Sequence, residues 1–405
     1  MKQISFIHAA DLHLDSPMAG LRTLPDPIFK RVRESTFQAL KKLTDAAIEK
    51  KVDFVILAGD LFDGEDRSLK AQSRLRSEMQ RLALHGIPVY VIHGNHDHLG
   101  GSWVKLEMPE NVHIFSSDIE VKVLYTKSGA VVHLYGFSYP QRHVLERKIF
   151  GYQIVNGADY HIGILHGNEE GSKEHNNYAP FTVKELLEKP FDYWALGHIH
   201  KRAILAEHPP VVYPGNTQGR SLKETGAKGC YFVAMTPFET KLEFIETAQV
   251  IWEEAAIDVQ EANSFQEIYR SCQNAVAKCR KKGVGTLLML TLKNVRLADY
   301  SERKAAAELQ ELLAEDEEDT DSFVWIMHLE IEDESTINRE QLEAEGEFYR
   351  ELFATGEHYK NPEKALAPLY EHLLGRKYLP ALSSEEQQEL LTKAENLLVA
   401  LLYKP

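Results

Sequence analysis

Cysteine is scarce: Cys230, Cys272 and Cys279 are the three in 405 residues. A small odd number excludes a disulfide framework and suits a reducing compartment. Cys272 and Cys279, seven apart, share a helical face and read as buried structural thiols. Long apolar runs are missing as well. No stretch approaches the roughly 18 apolar residues of a membrane span. The amino-terminal MKQISFIHAADLHLDSP is interrupted by His8 and Asp11, so it lacks the continuous apolar core of a secretory signal. No Walker A sequence occurs, so any ATP chemistry must come from a partner. These absences predict a soluble cytoplasmic protein that does not engage a membrane.

At 43% hydrophobic residues the chain can fill at least one sizeable core, and its length suits two or three domains. A net charge of -15 looks hostile to nucleic acid, but its distribution is uneven. Residues 301–350 hold 17 acidic and 4 basic side chains, which leaves the remainder close to neutral. Acidity therefore belongs to one region and does not exclude a polyanionic substrate elsewhere.

From residue 4 to about 200, strand-length apolar runs alternate with amphipathic helical patterns, which predicts an α/β layer structure. The strands are ISFIHA (4–9), DFVILAG (53–59), IPVYVIHG (87–94), VVHLYGF (131–137), HIGILHG (161–167) and DYWALGH (192–198). Phe37, Leu40, Leu43 and Ala47 recur at helical spacing between them, as do Leu75, Met79 and Leu82. A different unit begins near residue 250, where AIDV, a helix over 265–280, TLLMLTL, a helix over 303–313 and FVWIMHLEI read as a small βαβαβ cap. In its last run Phe323, Trp325, Met327, Leu329 and Ile331 form one buried face. The acidic run AEDEEDTDS (314–322) reads as a solvated loop, since an EF-hand needs a glycine and a terminal glutamate at other offsets. The last 70 residues are helical in pattern. Leu390, Leu391, Ala394, Leu397, Leu398, Leu401 and Leu402 make an apolar stripe suited to the protein's own body or to a partner groove. The boundaries are 1–250, 251–335 and 336–405.

Five polar clusters follow strand-like runs: ADLHLD (10–15), GDLFD (59–63), GNHD (94–97), LHGN (165–168) and GHIH (197–200). Singly each has a bland explanation: a turn acid and surface imidazole for Asp11 and His13, or a helix cap for Asp63. Jointly they fall at successive strand ends, where an open α/β sheet gathers its ligand-binding side chains. Carboxylate, imidazole and amide oxygen without thiolate suit Mn²⁺, Fe²⁺ or Zn²⁺ in a non-structural site. Seven such groups exceed the needs of one ion with an open position. They suit two ions about 3.5–4 Å apart, which polarise a phosphate, generate a hydroxide at neutral pH and stabilise both attacking and leaving oxygens.

In this order over residues 11–200, D-x-H, G-D-x-x-D, G-N-H-D, H-G and G-H-x-H resemble the calcineurin-like metallophosphoesterase family. With its cap and tail, the layout is similar to that of bacterial SbcD-type DNA repair nucleases, and most similar to their YhaO-type relatives. The resemblance implies a layered β-sandwich flanked by helices, with a small α/β cap domain and a helical carboxy-terminal region. It assigns Asp11, His13 and His200 to one metal, Asn95, His166 and His198 to the other, and Asp60 to both. His96 stands beside the scissile phosphate and Asp97 accepts a hydrogen bond from it; Asp15 and Asp63 support the ligands from behind, and His93 and His98 carry no motif role. The glycine-rich segment 213–230 resembles the family's closing loop, with Arg220 or Gln218 as phosphate contacts, while Lys201, Arg202 and the KCRKK run at 278–282 are candidates for DNA backbone contacts.

The implied activity is a two-metal phosphodiesterase acting on DNA, exonuclease with some endonuclease activity, with Mn²⁺ foremost and Fe²⁺, Zn²⁺ or Mg²⁺ as alternatives. The implied partners are DNA, a coiled-coil ATPase of the SbcC or YhaN kind docked on the leucine stripe, and a second copy of the chain. Rival readings are a metallophosphoesterase acting on nucleotides, cyclic nucleotides or phosphoproteins, and a non-catalytic scaffold.

Overall fold

A computed structural model of the chain describes residues 2–402 except 19, 65–66, 172–177, 296–301, 316, 319, 333–338, 358, 360–361 and 373–381. The elements run β1 (Ile4–Ala9), α1 (Asp26–Glu49), β2 (Phe54–Ala58), α2 (Leu69–Leu84), β3 (Val89–Ile92), β4 (Val112–Ile114), β5 (Glu120–Tyr125), β6 (Val131–Gly136), β7 (Tyr160–His166), α3 (Val183–Leu187), β8 (Tyr193–Gly197), β9 (Ala203–Glu207), β10 (Pro210–Tyr213), β11 (Gly229–Met235) and β12 (Thr240–Glu246). They continue with β13 (Val250–Asp258), α4 (Phe265–Cys279), β14 (Gly285–Lys293), α5 (Glu302–Ala314), β15 (Val324–Glu332), α6 (Arg339–Glu345), α7 (Glu347–Glu357), α8 (Pro362–Glu371) and α9 (Ser384–Leu402). No described helix is long and apolar enough to cross a membrane.

Two six-stranded sheets form the sandwich, in the orders β12-β11-β1-β2-β3-β4 and β5-β6-β7-β8-β10-β9. The central strands β1, β2 and β3 pair in parallel, as do β6, β7 and β8. A strand buried on both faces must be apolar at nearly every position, and β2, FVILA, is buried throughout. Phe6, Phe54, Ile56 and Ile92 from one sheet meet Val132, Leu134, Ile162 and Tyr193 from the other in the shared core. Helices α1 and α2 cover the outer face of the first sheet through Leu40, Leu43, Leu75 and Met79. The outer face of the second sheet buries Trp194, Phe181 and Leu186. Ser68 caps α2 by accepting from the Ala71 N–H, and Thr182 and Glu185 form a reciprocal capping box on α3. The layers are therefore helix, sheet, sheet and helix, and both parallel halves end on the same side as the motif residues.

The chain divides into two compact units, one of Met1–Ile257, Ser264–Thr291 and Asp299–Glu330, the other of Asp258–Asn263, Leu292–Ala298 and Ile331–Pro405. This division differs from the sequence boundaries at 250 and 335. The βαβαβ order is present, as a sheet β13-β14-β15 with α4 and α5. Most of it joins the first unit because Val250, Trp252, Leu287 and Phe323 share one apolar cluster with Met18, Leu21, Leu24, Ile28 and Val32. Strand β15 is covered on both faces: Val324 and Ile326 are buried along with Phe323 and Leu329, while Trp325 and Met327 are half-buried. The acidic loop before it is not uniformly solvated, since Glu317 is buried, pairs with Arg280 and accepts the Val324 N–H at 2.7 Å. Arg280, itself exposed, is thereby paired with a buried carboxylate, and Lys281 pairs with Glu253. In the second unit Val399 of α9 packs with Leu342 and Phe353. Leu390 and Leu398 of the predicted stripe are exposed; the side chains of Leu397, Leu401 and Leu402 lie outside the described residues. The three cysteines are free, Cys230 and Cys272 buried and Cys279 half-buried.

Phe6 is fully buried, stacks on Phe54 at 4.8 Å between centroids and meets Tyr193 edge-on at 5.2 Å. Phe6→Ala removes the edge-on contact with Tyr193 and opens a cavity in the shared core, and should lower unfolding free energy by about 3–5 kcal/mol in urea titration.

Candidate metal centre

Each strand that carries a motif ends at one place. Asp11 and His13 follow β1, Asp60 follows β2, Asn95 follows β3, His166 closes β7, and His198 and His200 follow β8. The turns are laced together: the Asp11 N–H donates to the Gly59 carbonyl and the His13 N–H to the Asp60 carbonyl, both at 3.0 Å. Asp11, His13, Asp60 and His198 all have positive φ, at 53°, 42°, 50° and 100°. Non-glycine residues adopt that region at a cost, and such strain concentrates at functional sites. A Cβ on Gly59 would collide with the His166 ring, and one on Gly94 with both His166 and Asp60. Both positions need glycine so that backbone can approach the cluster.

Three groups of donors converge among the described residues; two hold the motif ligands, and the third joins His13, Asp63 and His96. In the first, Asp11, His13 and His200 converge, with the two Nε2 atoms 3.1 Å apart. The His200 Nδ1–H donates to Glu224 Oε1 at 2.7 Å, which turns its Nε2 lone pair toward His13; the His13 Nδ1 lies 3.2 Å from Asp63 Oδ1, close enough for charge attraction but not aligned as a hydrogen bond. In the second, Asp60, His166 and His198 converge, and Asn95 Oδ1 lies 3.0 Å from His166 Nε2 and 3.1 Å from His198 Nδ1. His166 donates Nδ1–H to the Ala58 carbonyl at 3.0 Å, and its Nε2 faces Asn95 Oδ1 and, at 3.4 Å, Asp60 Oδ2, as a donor when protonated and as a lone pair for a cation when not. Facing acceptors repel unless positive charge lies among them, so this donor set fits divalent cations.

Proton affinities report the same demand. Burial alone would lower the His166 pKa, but the Asp60 carboxylate and its hydrogen bond raise it to about 9. Asp60 is held well below the carboxylate range because His166 outweighs its burial. Burial lifts Asp11 to about 6 against the pull of His200 and His166, whereas burial and the nearby Arg220 charge push His13 down to about 3.

The remaining predicted residues separate. Asp97 does not face His96: its carboxylate accepts from His93 Nδ1 and the Leu61 N–H, both at 2.9 Å, and from the Gly94 N–H at 2.7 Å. The bend after Gly94 folds Asp97 back onto His93. His96 instead donates Nδ1–H to the Asp63 carbonyl at 3.2 Å, and its backbone N–H binds Asp60 Oδ1 at 2.9 Å. Asp63 stands behind His13, but Asp15 is turned away to the α2 cap, accepting from Ser68 at 2.7 Å. Gln218 is buried and bonded to the Val250 carbonyl and the Gln249 N–H, which removes it as a phosphate contact. Arg220 reaches the centre, where its guanidinium pairs with Asp63 and Glu224. Arg202 lies over the Phe244 ring at 4.0 Å. Sequence reasoning missed Glu224 and Arg67. Glu224 is the one acid in segment 213–230, which was its available signal. Arg67 donates to the Asp97 and His98 carbonyls and stacks 3.6 Å from the Trp103 ring, holding the turn from outside.

The calcineurin-like phosphoesterase family model matches residues 4–202. The Bacillus subtilis protein described as uncharacterized metallophosphoesterase YhaO is 43% identical over 402 residues, 98% of each chain. The chain belongs to the calcineurin-like metallophosphoesterase family. More distant similarity links it to proteins described as the DNA double-strand break repair protein Mre11. That of Archaeoglobus fulgidus is 22% identical over 352 residues, 76% of each chain, and that of Methanocaldococcus jannaschii 27% identical over 297 residues, 69% of this chain and 75% of the other. The metallophosphoesterase family is a class of hydrolases that use divalent metal ions, in agreement with the donor groups above.

Asp97→Ala would strand two buried N–H groups and His93 together, and should lower the unfolding free energy read from chemical denaturation by about 3–5 kcal/mol.

Proposed function

We propose that this metallophosphoesterase hydrolyses phosphodiester bonds in DNA, acting as an exonuclease with some endonuclease activity in DNA repair. The carrying observation is the pair of adjacent donor groups, Asp11 with His13 and His200 and Asp60 with His166 and His198, in which Asp60 Oδ2 lies 4.0 Å from His13 Nε2 and 3.4 Å from His166 Nε2, with the half-buried His96 beside them. In this reading Asp11, His13 and His200 hold one divalent ion, Asn95, His166 and His198 the other, and Asp60 both; Mn²⁺ is the first candidate. When bound, two such ions polarise a phosphate and lower the pKa of water. The protein's own contribution is orientation and proton transfer. Asp63 fixes the His96 tautomer through its carbonyl, which leaves Nε2 of the imidazolium form to deliver a proton to the departing sugar oxygen. Asp97 acts on His96 indirectly, by pinning the turn that carries it. DNA as substrate is favoured by the relatives described as double-strand break repair proteins and by the elements beyond residue 250, the β13-β14-β15 sheet with its helices and the carboxy-terminal helices, which a compact phosphatase core does not need. A coiled-coil ATPase of the SbcC or YhaN kind, a second copy of the chain and a cytoplasmic location complete the proposal.

The test is digestion of end-labelled single- and double-stranded DNA with Mn²⁺ and with Mg²⁺, beside bis(p-nitrophenyl) phosphate and a p-nitrophenyl monoester. Cleavage of DNA and the diester is expected. Preference for the monoester or for nucleotides would move the protein to another branch of the family. His96→Ala should slow diester hydrolysis by about 10²–10⁴-fold while metal content is retained; unchanged turnover would remove His96 from the mechanism.

A further inference from the structure

The two donor groups differ in what stands behind them. His166 is backed by a neutral carbonyl, that of Ala58. His13 and His200 are each backed by a carboxylate, Asp63 and Glu224, and these come from the loop after β2 and the loop after β10. One guanidinium joins them: Arg220 pairs with Asp63 Oδ1 through one terminal nitrogen and lies 3.3 Å from Glu224 Oε1 through the other. Glu224 is held further by the Arg220 N–H at 2.7 Å and by Asn216 Nδ2 at 2.8 Å, both on Oε2. Its four contacts leave it one orientation. A carboxylate that receives Nδ1–H fixes the tautomer of an imidazole and raises the basicity of its Nε2.

Asp63 has a second possible occupation. Its carboxylate, His13 and His96 could themselves gather around an ion. Arg220 occupies Asp63 Oδ1 and so keeps that carboxylate behind His13 instead of beside it. Arginine suits the task because its planar fork spans two acceptors at once, which a lysine ammonium cannot do with the same geometry.

We propose that Asp63, Arg220 and Glu224 form a single positioning bracket that presents His13 and His200 to one cation, and that this bracket sets the affinity of that position separately from the position built from Asn95, His166 and His198. The inference rests on the two-ion reading above. Glu224 and Arg220 touch no substrate in it; they act through the imidazoles.

Mn²⁺ binding to the full chain tests it, by titration calorimetry together with electron paramagnetic resonance, which separates isolated from spin-coupled Mn²⁺. The wild type is expected to bind two ions and give the coupled signal. Glu224→Gln should weaken one of the two affinities by about 10–100-fold and leave the other unchanged, so that at intermediate Mn²⁺ an uncoupled signal replaces the coupled one. Arg220→Lys should weaken the same position, and the double variant should lose less than the product of the single losses, because the residues act as a unit. The unaffected position serves as a folding control within each molecule. Equal weakening at both positions, no weakening at either, or fully multiplicative losses would overturn the bracket. A wild type that binds fewer than two ions would instead overturn the two-ion reading.

Discussion

Lone pairs crowded into a buried space repel one another, and they stay together only around positive charge. That constraint accounts for the centre's construction. The nitrogens of His13 and His200 confront each other at 3.1 Å, and Asn95 and Asp60 crowd the Nε2 of His166. Holding them there requires backbone in the left-handed region at Asp11, His13, Asp60 and His198, each costing on the order of 1–3 kcal/mol. The offset comes from the rigid surroundings. Parallel strands buried on both faces fix the starting points of the turns, and backbone hydrogen bonds from Asp11 to Gly59 and from His13 to Asp60 fix the turns to each other.

Much of this was legible in the sequence because a buried parallel strand leaves a continuous apolar run, and β1, β2, β3, β6, β7 and β8 all leave one. The edge strands were harder. β5, EVKVLY, and β12, TKLEFIE, are half-exposed and alternate in a way that a surface loop can imitate, while β4 has three residues. Strand β11 and its partner were missed although β11 pairs with β1 in the middle of the first sheet. The one-faced reading of β15 failed because Val324 and Ile326 are as apolar as their neighbours, and pattern alone does not say which face lacks a cover.

The ligand types were readable from their place after strands, whereas their supporting partners were not. Which carboxylate ends beside which ring depends on how two loops approach in space. Asp97 lies next to His96 in sequence yet serves His93, four residues back, because the turn doubles on itself. Glu224 stands 24 residues beyond His200 and meets it through the return of the chain after β10. The basic runs illustrate the same limit, since Arg280 reads as a free cation and is paired with a buried glutamate.

Asp11, His13, Asp60 and Asn95 hang from one sheet, while His166, His198 and His200 hang from the other. Any ion seated among them is therefore a rivet across the sandwich. The gap between the layers at that end is then dictated by coordination bond lengths, and at the opposite end by the thickness of the aromatic side chains between the layers. A slight splaying of the layers would pull ligands from an ion before it exposed the core, so occupancy of the centre doubles as a gauge of how the two halves are docked.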